Sequence, residues 1–172
     1  TLSLRLFGAP VLDDSGTPMS LSRRKAMALL SYLAVTRSRH HRETLAALLW
    51  PESDATAAYS ALRNVLWILR QTPLSDLIHS DRSTVELVDG ESFDVDVNRF
   101  RTLTLGCSTE SHTSTEVCSV CEPQLREAVA LWRGSFMRGF TVANSLQFDD
   151  WQFAEGEALR RELTEALDGL ID

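Results

Sequence analysis

The segment 54–71, D-A-T-A-A-Y-S-A-L-R-N-V-L-W-I-L-R-Q, constrains the fold of this chain more than any other. Ala58, Leu62, Val65, Leu66 and Leu69 recur at helical spacing and predict an amphipathic helix with one stripe against a core. At about 100° per residue, Thr56, Ser60, Arg63, Asn64, Trp67 and Arg70 gather on the opposite side. Two arginines, an asparagine, small hydroxyls and one aromatic suit phosphates and base edges. Taken alone, such a face is read most simply as solvated. Its surroundings decide otherwise.

Upstream, Leu2, Leu4 and Leu6 alternate with polar residues at the period of a half-buried strand. Gly8 and Pro10 interrupt it, Val11-Leu12 resumes, and Asp13-Asp14-Ser15-Gly16 turns the chain into a return strand at 18–21. A small antiparallel N-terminal sheet is expected. Ser22 is placed to cap a helix over 23–35, with Ala26, Leu29, Leu30 and Leu33 inward. A short helix follows over 42–50, stopped by Pro51, and Asp54 caps the third. Beyond Pro73, residues 78–87 offer two strands around Asp81-Arg82-Ser83. Helix, helix, long helix and hairpin is the order of a winged helix.

Residues 93–97 read as a junction, and a helix over 97–105 buries Phe100 and Leu103. Residues 106–122, rich in Ser, Thr and Cys, are expected to loop. A helix over 123–137 carries Leu125, Ala128, Val129 and Trp132 in register, with Gly134 and Gly139 at its end. Asn144-Ser145 precedes a long helix over 146–171 with Phe148, Trp151, Leu159, Leu163, Leu167 and Leu170. Two antiparallel helices of this kind suggest the opening of a helical-repeat array. The expected fold is therefore an α+β winged helix over 1–92, followed by an all-α helical domain over 93–172.

Charge divides along the same line. Residues 1–71 carry nine Lys/Arg against five Asp/Glu, a net of +4, whereas 72–172 carry eight against nineteen, a net of −11. A basic interaction module joined to an acidic partner domain accounts for this asymmetry. Only the N-terminal part is suited to a polyanion. No apolar run approaches the length of a membrane span, and the start T-L-S-L-R-L-F-G lacks the order of a secretion signal. The expectation is a cytoplasmic protein.

All three cysteines lie between 107 and 121 with a histidine among them, C-x4-H-x5-C-x2-C. Cys107, His112, Cys118 and Cys121 have the ligand types of a structural zinc that would staple a loop with little to bury. The spacing is not that of a standard finger, and thiols without metal are the alternative. No cofactor is otherwise required.

R-K-A-M-A-L-L-S-Y-L-A (24–34), R-E-T-L-A-A-L-L-W-P (42–51) and A-x-x-x-L-R-x-x-L-x-x-L-R (58–70) together resemble the SARP-like bacterial regulators. The N-terminal domain of that family is an OmpR/PhoB-type winged helix. A-L-W-R-G-S-F-M-R-G-F (130–140) and N-S-L-Q-F-D-D-W (144–151) resemble the bacterial transcriptional activator domain that follows it, a bundle of TPR-like helix pairs. The resemblance implies sequence-specific binding of double-stranded promoter DNA in direct repeats, with the third helix in the major groove. It also implies RNA polymerase as a partner and further domains in a longer chain. This sequence departs from the family pattern at Tyr59 and Trp67, where many relatives carry a basic and a small polar residue.

On that reading Thr56, Ser60, Arg63 and Asn64 face base edges, Arg63 suiting guanine and Asn64 adenine. Arg70 and Arg42 suit phosphates, and Arg82 at the hairpin turn suits the minor groove or the backbone. For Arg42 and Arg82 the alternative is plain surface charge. Trp67 and Tyr59 could meet DNA or pack within the protein, and internal packing of Trp67 is the expectation. Arg23-Arg24-Lys25, at the start of a helix, is expected to be a solvated run with Lys25 partly structural, approach to DNA being the alternative. The chain carries no P-loop, dinucleotide, H-E-x-x-H or G-x-S-x-G motif, so an enzyme is not expected. The rival reading is a winged-helix protein-interaction module without DNA binding.

Overall fold

The computed structural model describes residues 1–106 and 121–171. Alternation of leucines sets the first strand, β1 (Leu2–Arg5), which buries Leu2 and Leu4 and leaves Ser3 and Arg5 half-buried. Antiparallel β2 (Val11–Asp14) places Leu12 opposite Leu4, and β3 (Thr17–Met19) returns beside β2. Gly16, at φ +93°, makes the tight turn between them and donates its N–H to Asp13 Oδ1 at 2.8 Å.

Helix α1 (Arg24–Thr36) starts after an extended Arg23 that has no side-chain cap. Ser22 is therefore one residue outside the cap position expected of it. The helix ends at Arg37, whose left-handed backbone (φ 50°) sends its N–H to the Leu33 carbonyl at 3.1 Å. A two-residue strand, β4 (His40–His41), leads into α2 (Arg42–Leu49) and then α3 (Ala55–Arg70). Beyond a 3-10 turn at Ser75–Leu77 comes the hairpin of β5 (Ile78–Ser80) and β6 (Thr84–Leu87). β4 pairs with β6, so the wing is a three-stranded sheet in the order β4-β6-β5.

The expected N-terminal sheet is not wholly antiparallel. Residues 93–97, read as a junction, supply β7 (Phe93–Val95), which runs parallel to β1 with Val95 opposite Leu4. Parallel neighbours need a long crossover, and the helices and wing between β1 and β7 provide it. Helix α4 (Asp96–Leu105) follows at once, and α5 (Cys121–Leu131) packs on both α4 and α6 (Leu146–Ile171).

The helix expected over 123–137 stops at Leu131 because its continuation pairs with the backbone just past β1. Met137 N–H donates to the Leu6 carbonyl at 2.8 Å, Gly8 N–H to Ser135 at 3.0 Å, and Arg138 N–H to Gly8 at 2.9 Å. Gly134 lies so close to Gly8 that a Cβ there would sit 3.2 Å from the Gly8 Cα. Only glycine fits that approach without moving its neighbour.

One core spans both halves, joining Leu4, Leu33 and Leu69 to Phe100, Phe148 and Leu159. Phe7 packs edge-on against Phe100 with centroids 5.4 Å apart, and against Trp132 at 4.6 Å. Tyr32 of α1 meets Trp151 of α6 at 4.9 Å. At the C-terminal end of α2 the Leu49 carbonyl accepts from Lys25 Nζ at 2.6 Å and from the buried Ser145 Oγ at 2.8 Å. A cation and a hydroxyl thus satisfy a helix-end carbonyl that the helix itself leaves open. Lys25 is structural, as expected.

Candidate nucleic-acid interface

The buried stripe of α3 is Ala58, Leu62, Val65, Leu66 and Leu69, the five residues its periodicity singled out. Asp54 caps the helix by accepting the Ala57 N–H on Oδ1 at 2.8 Å. With one side locked into the core and the first turn capped, the opposite side is held outward. Thr56, Ser60, Arg63, Asn64, Trp67 and Arg70 are all exposed. Thr56, Ser60, Arg63 and Asn64 make no side-chain hydrogen bond or ion pair among the described residues, so their donors and acceptors are available to a ligand.

Trp67 is a correction. Its indole is 61% exposed and makes no ring or cation contact among the described residues, contrary to the internal packing expected. The inward positions around it are already filled by Leu62, Val65, Leu66 and Leu69, which leaves no core site at position 67. Tyr59 instead is half-buried, lining a cleft of about 360 Å³ with Trp50, Pro51 and Gln147. It stands apart from the outward stripe.

The wing is tied to α3 by side chains. Arg70 donates from its guanidinium to Ser80 Oγ on β5. Arg42 Nε, at the start of α2, donates to the Asp81 carbonyl at 2.9 Å, and the Arg42 N–H donates to the Ser83 carbonyl at 2.8 Å. Arg42 and Arg70 are thus partly committed to holding the wing, a role that their charge alone did not disclose. Arg82 is exposed at the hairpin tip.

The turn itself is organised by Asp81. Its carboxylate accepts the Ser83 and Thr84 N–H groups at 2.8 and 2.7 Å and the Thr84 hydroxyl at 3.0 Å. Those hydrogen bonds, the Ser83 amide foremost, lower its pKa to about 2. Asp81 and Ser80 were missed as site residues, although D-x-S-T is a legible signature of an Asx turn.

Arg24 Nε donates to the Thr141 carbonyl at 2.9 Å with its guanidinium over the Phe140 ring, and so belongs to the contact between the two halves. Of the cysteine-histidine set, Cys107, His112 and Cys118 lie outside the described residues. Cys121 is the buried first residue of α5. No helix among the described residues is long and apolar enough to cross a membrane.

No family model matches the chain, and no curated protein matches it by sequence. The structure is similar to that of Mycobacterium tuberculosis EmbR in complex with a low-affinity phosphopeptide. The two share a TM-score of 0.74 and 19% identity over 96% of this chain. The chain spans 43% of the length of the EmbR chain. At that identity the likeness is one of fold, and it extends through both the sheet-and-wing part and the helices packed on it.

Proposed function

We propose that this chain is a sequence-specific double-stranded DNA-binding regulator of transcription that inserts α3 into the major groove and lays the β5–β6 wing beside it. Residues 1–92, with β7 completing their sheet, act as the OmpR/PhoB-type winged helix, and the helices from α4 onward as the start of a TPR-like activator domain. Thr56, Ser60, Arg63 and Asn64 read bases. Arg70 and Arg82 meet the sugar-phosphate backbone, with Arg42 bracing the wing. The observation that carries this reading is the outward stripe of α3, on which Thr56, Ser60, Arg63 and Asn64 are uncommitted while the opposite side is locked in the core. The basic balance of residues 1–71 and the EmbR-like fold support it. The family resemblance adds direct-repeat promoter sites and RNA polymerase as a partner. The role is one of binding rather than catalysis.

Titration against a random-sequence duplex pool at two salt concentrations tests the proposal. Binding should enrich a sequence, weaken steeply with salt as phosphate counterions are released, and fall on Arg63→Ala. No enriched sequence together with an unaffected Arg63→Ala variant sinks it. The second reading, a protein-interaction module, is favoured by a different observation. Leu146, Phe153 and Ile171 of α6 are largely exposed, Phe153 by 72%. Under that reading α3 binds no duplex at all.

A further inference from the structure

Trp67 is the largest exposed side chain on α3, with 61% of its surface open to solvent. Among the described residues no ring stacks on it and no cation sits over its face. Its two neighbours along the outward stripe are cations, Arg63 four residues before and Arg70 three residues after. Residues at those spacings stand one above another on a helix. The indole is therefore an apolar patch between two guanidiniums, a pattern whose complement is a polyanion carrying an apolar group. In the major groove of DNA that apolar group is the C5-methyl of thymine, the only methyl on a standard base edge there.

We infer that Trp67 is a further specificity-determining residue, its indole covering a thymine C5-methyl when α3 lies in the groove. The inference rests on the DNA-binding reading and assigns the base class read at one position. At 1.5 Å rise per residue, Trp67 lies about 6 Å along α3 from Arg63. At 3.4 Å per base along a strand, that places the thymine about two base steps from the Arg63 contact. The direction is toward the wing, because Arg70 on the next turn is bonded to Ser80 of β5. A sugar contact by the same indole would instead add affinity without preference.

The test uses the whole chain and the duplex enriched from the random pool, with each thymine in turn replaced by uracil, which removes the methyl and nothing else. Fluorescence anisotropy should find one position, about two base pairs from the base lost on Arg63→Ala, where uracil weakens the wild type about three- to fivefold, the effect of one methyl leaving an apolar contact. Trp67→Ala should bind the thymine and uracil duplexes equally, and Trp67→Leu should keep part of the difference. A uracil profile identical in wild type and Trp67→Ala, or a Trp67→Ala loss equal on every duplex, overturns the inference while leaving DNA binding intact. Absence of an enriched duplex for the wild type overturns the DNA reading itself and this inference with it. Because the indole is solvent-exposed, circular dichroism of both variants should match the wild type.

Discussion

The Leu6 amide donates to Asp96 Oδ1 at 2.8 Å, although ninety residues separate the two in the chain. The same carboxylate accepts from Phe7 at 3.0 Å and from Val97 at 2.8 Å, and Arg133 approaches to 3.8 Å. One buried side chain thus joins the end of β1, the start of α4 and the segment after α5. It is the polar pin of the contact between the wing-bearing part and the helices behind it.

Asp96→Ala leaves three amides without their acceptor, and unsatisfied buried donors are costly. Urea denaturation should show a loss of about 2–4 kcal/mol of folding stability. A loss below about 1 kcal/mol would mean that water replaces the carboxylate there.

Burial, outweighing those hydrogen bonds, pushes the Asp96 carboxyl above the usual range. The unfolded chain releases this proton near pH ~3.9, the folded chain later, so the folded state holds more protons across that window. The contribution of Asp96 is therefore full at low pH and falls as pH rises through the raised folded value. The stability of the wild type minus that of Asp96→Asn should fall over this rise. A difference that grows with pH contradicts the assignment.

Asp81 carries the opposite sign. Its pKa is lowered to about 2, so the order it lends the wing tip is present above the unfolded value and lost as pH falls through about 2. The Ser83 and Thr84 amide resonances should titrate with that midpoint. A midpoint near ~4, the ordinary carboxyl value, would show that the turn is not held by this side chain.

Asp54→Ala removes the N-cap of α3, and the expected loss is about 1 kcal/mol in thermal or chemical unfolding. Because the capped turn carries Thr56, duplex affinity should fall along with stability. An Asp54→Asn or Asp54→Ser variant, able to cap, should recover both.

Arg63 and Arg70 should separate cleanly. Arg63→Ala should weaken the enriched duplex by about tenfold or more and relax one base position. Arg70→Ala should weaken all duplexes alike, reduce the salt slope by about one, and loosen β5 through the loss of the hydrogen bond from Arg70 to Ser80 Oγ. Interchange of these two patterns would show that the roles along α3 are reversed.

Local periodicity by itself determined the helices, the inward stripe of α3, its Asp54 cap and the outward set of Thr56, Ser60, Arg63 and Asn64. Spacing and capping act within a few residues, so they can be read from one segment. Long-range pairing decided the rest. That 93–95 runs parallel beside β1, that 135–138 leaves a helical register to pair with Leu6 and Gly8, and that Asp96 reaches Leu6 all depend on partners far away in the chain. The same holds for the fate of Trp67. Whether an aromatic on a helix is covered depends on which other elements reach it, and here the indole is left largely exposed.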